Sequence, residues 1–172
     1  MTDLAIPCAG SSLRDEVTGL YNRGHLLLRL KENMARCLRN KEPMAIVLWD
    51  IDGFIDFNNQ YGQAEGDQLL KKVADVIRKS VRIYDEAFRF GPDEFCALLL
   101  PCDEKTANEV TGRVKNAVSR DLFEGNSAYA QHSFSISFGT TFYTGPASPD
   151  QLPEALLHAA SQALYRSHLS RP

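Results

Sequence analysis

The sequence predicts a single α/β domain in which a mixed β-sheet is flanked by helices. Three observations lead there. The chain has 172 residues, of which 44% are hydrophobic and 24% charged, a size and composition that suit one domain with a sizeable core. Apolar residues recur alternately at helical and at strand spacing along the chain. Near the middle, RFGPDEFCALLL (89–100) reads as a strand, a Gly-Pro corner and a second apolar strand, so strands alternate with helices around one hairpin.

The elements follow in order. Residues 1–14 read as a leader, with Pro7, Gly10, Ser11 and Ser12, and residues 15–172 as the domain. Leu26, Leu27, Leu30, Met34 and Leu38 recur at helical spacing, which predicts an amphipathic helix over 26–38. Lys41, Glu42 and Pro43 end it. The continuous apolar run from 44 to 49 is too short for a helix and right for a buried strand. Leu69, Leu70, Val73, Val76 and Ile77 fall on one face of a helix over 66–81. The hairpin then occupies 87–100, a helix 103–120, an alternating strand 133–143 and a last helix 151–168. The predicted order is α-β-α-β-β-α-β-α, with no internal repeat and no low-complexity segment.

Composition narrows the function classes. The formal net charge is −3 and no long basic run occurs, which argues against nucleic acid as a partner. Cys8, Cys37, Cys96 and Cys102 are scattered without a C-x-x-C pair, which favours free thiols in a reducing compartment over a disulfide frame or zinc site. Apolar stretches are strand-sized, well short of the ~20 residues of a membrane span, and the start has no signal-peptide architecture. The expected location is the cytoplasm.

Two acidic clusters carry the candidate chemistry. Asp50 and Asp52 sit where the buried strand emerges, and Asp93 and Glu94 at the hairpin tip. If those strands are neighbours, several carboxylates converge at one sheet edge, an arrangement that is unfavourable unless a cation is present. Hard oxygen ligands in that number suit Mg²⁺, which keeps waters and completes its shell with substrate phosphates. Spacing alone leaves a second reading open, with Asp52 capping a following helix and acid at an ordinary hairpin tip.

Five ordered segments resemble the GGDEF family. DEVTGLYNR (15–23) is similar to the family's D-x-L-T-G-L-x-N-R opening. DIDGFIDFNNQYGQAEGDQLL (50–70) is similar to D-x-D-x-F-K-x-x-N-D-x-x-G-H-x-x-G-D-x-x-L. GPDEF (91–95) stands where G-G-D-E-F is expected, and SFG (137–139) and ASQALYRSH (160–168) resemble the late S-I-G and A-D-x-A-L-Y-x-A-K elements. The resemblance spans about residues 13–170. It implies a central sheet flanked by helices, related to nucleotide-cyclase and polymerase palm domains. It also implies the chemistry of diguanylate cyclases, which condense two GTP into cyclic di-GMP as dimers with Mg²⁺ or Mn²⁺.

By that resemblance Asp50, the Ile51 carbonyl and Asp93 are metal ligands, Asp93 and Glu94 are catalytic, and Asn58 and Asp67 read guanine. An amide both donates and accepts, and a carboxylate accepts from the base N–H groups. On the residues alone, Asn58 also suits a helix-end turn and Asp67 a helix N-terminus. Arg82 and Asp85 form an R-x-x-D separated from Gly91 by five residues, the spacing that the resemblance implies for an inhibitory site that binds cyclic di-GMP. On its own, R-x-x-D is equally an exposed ion pair. Asp15, Thr18, Asn22, Arg23 and Arg89 read as structural.

The departures concern the phosphate side. Ile55 and His168 replace two family lysines, Gln63 replaces the G-H histidine, Pro172 stands at the position of a late arginine, and Pro92 fills the signature's second glycine position. A hydrogen bond to a charged group is worth ~1.5–3 kcal/mol, so losing two or three such contacts weakens triphosphate binding. Proline also adds a ring and removes an N–H where nucleotide approaches the backbone. The expectation is a GGDEF domain of cyclic di-GMP signalling with weakened or lost cyclase activity, acting as a regulatory domain that binds cyclic di-GMP or GTP. The alternative is an active, homodimeric diguanylate cyclase. Family members usually carry an upstream sensory domain, which is the expected partner.

Overall fold

The computed structural model describes residues 12–120, 135–145 and 152–169. Cys8 and most of the expected leader lie outside these residues, as do the expected ends of two elements at 133–134 and 151, and Pro172. The element order is α1 (Arg23–Asn40), β1 (Met44–Ile51), α2 (Phe54–Tyr61), α3 (Gln63–Ser80), β2 (Glu86–Arg89), β3 (Glu94–Leu99), α4 (Glu104–Val118), β4 (Ile136–Tyr143) and α5 (Pro153–Leu169). No described helix is long and apolar enough to cross a membrane.

The sheet runs β2-β3-β1-β4, and all three strand pairs are antiparallel. The expected mixed sheet is therefore corrected; a parallel pairing occurs only as an isolated bridge between Tyr21 and Phe88 among the described residues. The reason lies in the connections. The helical crossover from β1 to β2 joins strands of like direction, but β3 lies between them. The crossover from β3 to β4 does the same, with β1 between. Alternating strands and helices thus produce parallel strands that are never neighbours.

Helices cover both faces, which explains the unbroken apolar run in β1 without parallel pairing. Ala45, Val47, Trp49 and Ile51 join a core with Phe57 of α2, Leu70 and Ile77 of α3 and Val110 and Val114 of α4. Met44, Ile46 and Leu48 point into a second core with Leu26 and Leu30 of α1 and Leu156 and Leu164 of α5. On α1 the buried face ends at Cys37, and Leu38, expected on the apolar stripe, is half exposed. Cys37, Cys96 and Cys102 are free and buried. Burial pushes the Cys102 thiol up to about 11, so it stays protonated at neutral pH.

The helix α2 is absent from the sequence expectation. Phe54, Phe57 and Tyr61 recur at helical spacing, but the segment is only 8 residues long, below the length at which periodicity speaks clearly. Gly62, at φ +87°, breaks α2 from α3, a conformation that glycine adopts without penalty. The helix α3 consequently starts at Gln63, three residues before the expected start.

Candidate functional site

The carboxylates converge because β1 and β3 are neighbours. Asp50 lies opposite Glu94 in the register and opposite Ser137 on β4. The Ile51 N–H donates to the Asp93 carbonyl at 3.3 Å. An open pocket of about 520 Å³ gathers Asp50, Asp52, Asp56, Asp93, Ile55 and His168 around the β1–α2 turn.

The hairpin tip keeps its form with Pro92 in place. The Phe90 and Gly91 N–H groups both donate to the Glu94 carbonyl, at 2.8 and 3.1 Å, so the turn asks no hydrogen bond of Pro92. Arg89 fastens it from behind. Its Nε donates to the Gly91 carbonyl at 2.8 Å, another guanidinium nitrogen donates to the Pro92 carbonyl, and a third faces Asp15. A Cβ at Gly91 would lie 2.3 Å from Glu94 Oε2, so a larger residue there would displace the Glu94 carboxylate. Burial, then the adjacent Asp93 charge, raises the Glu94 carboxyl above its ordinary range, partly offset by Arg23. The Arg23 guanidinium lies over the Phe90 ring, 4.8 Å from its centroid.

The lead-in segment is structural, as expected. Asp15 accepts from the Thr18 N–H at 2.8 Å and hydroxyl at 2.7 Å, and Asn22 caps α1 by accepting from the His25 N–H at 2.9 Å.

Asp52 does not cap α2. The cap position is Gly53, with no side-chain hydrogen bond. Instead Asp52 accepts from Ser135 Oγ at 2.7 Å and Ser137 Oγ at 3.0 Å. On its other side stands His168, with Nδ1 3.2 Å from Asp52 Oδ1 and Nε2 3.7 Å from Asp50 Oδ1. One ligand atom from each of Asp50, Asp52 and His168 falls within 4.8 Å of the others. Sequence reasoning missed this grouping. The Asp50 and Asp52 pair stood out where the buried strand emerges, but His168 is more than a hundred residues away. Gly139 brings it there: a Cβ at that position would lie 2.1 Å from Leu164 N and 2.4 Å from the Ala160 carbonyl, so the α5 backbone rests directly on β4. Asp93 lines the same pocket, though its carboxylate is not in the three-residue grouping.

The expected base-reading residues belong to the α2–α3 corner. Asn58 lies in the last turn of α2, and its backbone carbonyl accepts from the Gly62 N–H at 2.9 Å. Its side-chain Oδ1 is buried with no hydrogen-bond partner, packed where a Gly66 Cβ would come within 1.8 Å. Asp67 lies beyond the first turn of α3, whose first-turn acid is Glu65, so a dipole role is a weak account of it.

At the R-x-x-D turn, Asp85 is committed to backbone. It accepts from the Arg82 N–H at 2.9 Å and the Leu100 N–H at 3.2 Å, and burial raises its carboxyl despite those bonds. The Arg82 side chain lies in the open beside Tyr84, donating to its hydroxyl at 3.1 Å.

Residues 12–171 match the family described as diguanylate cyclase, GGDEF domain. The diguanylate cyclase DgcS of Shewanella oneidensis is 31% identical over 156 residues, 91% of this chain and 49% of that protein. DgcP of Pseudomonas aeruginosa is 33% identical over 91% of this chain and 22% of its own length. The chain therefore spans about half, or less, of these curated relatives. Among solved structures, the diguanylate cyclase SiaD of P. aeruginosa, in complex with its activator SiaC, matches with a TM-score of 0.81 at 30% identity. That match covers 92% of this chain and 59% of SiaD.

Proposed function

The chain belongs to the diguanylate cyclase GGDEF domain family, and on that premise we propose that it is a regulatory domain of cyclic di-GMP signalling that binds GTP or cyclic di-GMP and turns GTP over weakly or not at all. One observation carries this reading: the pocket at the β1–α2 turn is lined by four aspartates, with no lysine or arginine among its described residues. A triphosphate bearing several negative charges meets a carboxylate-rich lining there, and Ile55, at a family lysine position, is 70% exposed and apolar.

The donor set fits a divalent ion. Asp50 and Asp93, with the Ile51 carbonyl between them in sequence, offer hard oxygens at one edge of the sheet. A bound ion would neutralise the triphosphate and ease ionisation of the attacking 3′-hydroxyl. Asn58 and Asp67 take the guanine edge: the buried, unpartnered Asn58 Oδ1 is an acceptor whose desolvation costs ~1–3 kcal/mol until a donor meets it. Glu94, with its raised carboxyl, is the proton acceptor nearest the Asp93 edge in sequence. Phosphoryl transfer depends chiefly on positioning and charge stabilisation, so missing cations affect turnover more than binding.

Cyclic di-GMP has two phosphodiesters rather than a triphosphate tail, and the exposed Arg82 guanidinium suits a phosphate or a guanine face. Asp85, held to backbone, orients the turn. A second reading, an active homodimeric cyclase, is favoured by the ordered Pro92 tip and the adjacent Asp93 and Glu94. The cytoplasmic setting and an upstream sensory partner remain part of the proposal.

Calorimetric titration with Mg²⁺–GTP and with cyclic di-GMP, together with chromatography of a GTP incubation, tests the reading. Binding with little product is expected. Ordinary cyclic di-GMP production would sink it in favour of the second reading, and no binding of either nucleotide would sink both. Arg82→Ala leaving cyclic di-GMP affinity unchanged would remove the R-x-x-D turn from the account.

A further inference from the structure

We propose that His168, Asp50 and Asp52 form a mixed nitrogen–oxygen site that selects a later first-row transition ion such as Co²⁺ or Zn²⁺ over Mg²⁺. The inference rests on the reading above only in taking Asp50 as a metal ligand.

Three elements supply the donors: Asp50 the end of β1, Asp52 the turn after it and His168 the last turn of α5. Metal–ligand bonds of ~2.0–2.2 Å place neighbouring ligand atoms roughly 2.8–3.6 Å apart around a shared octahedral or tetrahedral ion. His168 Nδ1 stands 3.2 Å from Asp52 Oδ1, and one ligand atom from each of the three residues lies within 4.8 Å of the others, so the Asp50 carboxylate must draw in for all three to share an ion. Asp52 is further oriented by the Ser135 and Ser137 hydroxyls, the kind of outer contact that fixes a ligating carboxylate. The Gly139 contact sets α5 against β4 so that its end reaches the acidic edge.

The donor chemistry decides the ion. Mg²⁺ takes oxygen ligands and parts with water reluctantly, whereas imidazole suits the later first-row ions, whose affinities rise across the series to copper. Lysine at position 168 would offer a charge to a phosphate and no lone pair to a metal at neutral pH. Histidine reverses this: it adds a ligand and withdraws a permanent cation. The open side of the pocket leaves positions for water or phosphate oxygen.

The test is calorimetric titration of the chain with Co²⁺ and with Mg²⁺, each without nucleotide, with the Co²⁺ d–d absorption recorded in parallel. Outer-shell substitutions alone weaken metal binding by about 10–100-fold, so His168→Ala should lower Co²⁺ affinity at least tenfold and change the absorption, leaving Mg²⁺ affinity within about twofold. His168→Gln, which keeps polar volume at the helix end, should show the same loss, and circular dichroism of both variants checks that α5 is folded. Asp93→Asn should weaken Mg²⁺–GTP binding without changing Co²⁺ affinity. Co²⁺ binding that is indifferent to His168 overturns the proposal even if Mg²⁺–GTP binds. Mg²⁺ affinity that rises in His168→Ala while Co²⁺ affinity holds also overturns it, since His168 would then be an internal counter-ion. Co²⁺ binding that depends on His168 in a chain that takes up no GTP supports the proposal and removes only the nucleotide reading.

Discussion

The two halves of the candidate nucleotide site are built differently. The α2–α3 corner is made by packing: Phe57 is fully buried and meets the Tyr61 ring at 4.8 Å, Gly62 breaks the helix, and Gly66 leaves the space that Asn58 fills. The opposite half is made by charge: Asp50, Asp52 and His168 are half-buried around an open pocket, with Ile55 exposed beside them. Substitutions in a packed corner disturb the core and cost stability. Substitutions at a less packed site cost folding less, and two of the positions expected to differ from the family's lysines, Ile55 and His168, lie on that half, whereas Gln63 lies at the packed corner.

The double substitution Ile55→Lys with His168→Lys strikes the comparison hardest. Each restored charged contact is worth ~1.5–3 kcal/mol, so Mg²⁺–GTP affinity should rise by about 10-fold or more per site and cyclic di-GMP should accumulate. Unchanged affinity in calorimetry would show that the charges on that half are not what limits binding. Next in size is Gly139→Ala. The new Cβ meets backbone atoms of α5 rather than a flexible side chain, and overpacking costs ~1–3 kcal/mol. The melting temperature should fall by several degrees, with the His168 side of the site lost and guanine selectivity kept.

Gly66→Ala probes the other half. The Asn58 carboxamide must move, so preference for GTP over ATP should shrink while global stability changes by under about 1.5 kcal/mol, because a side-chain tip can yield. Competition binding measures it, and undiminished selectivity would take Asn58 out of base reading.

The smallest effect is expected away from both halves, at Asp15. Burial alone would raise its carboxyl, but the Thr18 hydroxyl and backbone N–H, with the Arg89 guanidinium, hold it below the ordinary 3.8. A depressed folded value stabilises the protein above the unfolded value, and that contribution fades as pH falls below 3.8 through the folded one. Asp15→Asn should lower stability at neutral pH by under about 1 kcal/mol, with the difference from the parent narrowing in acid. An equal deficit at all pH values would assign the loss to the turn's hydrogen bonds rather than to charge.

At Glu94 burial is not outweighed, and the net shift is the opposite. Its raised carboxyl means the folded state holds the proton more tightly, so its contribution to stability is present in acid and declines as pH rises through the folded value. Glu94 keeps its burial penalty at the acidic edge, whereas Asp15 is relieved of it by its turn's hydrogen bonds.

Much of this was legible in the chain itself. The periodic runs gave α1, α3, α4 and α5 to within a few residues of their ends, the RFGPDEFCALLL corner gave the hairpin, and the Asp50/Asp52 and Asp93/Glu94 pairs marked the acidic edge. These signals are local, set by neighbours within a turn or a pleat. The antiparallel sheet, the reach of α5 to Asp52, the serines that orient that carboxylate and the commitment of Asp85 to the Leu100 backbone were decided only by tertiary structure. Each joins segments distant in sequence, and no local period records which strand inserts between two others or which helix end arrives at a given turn.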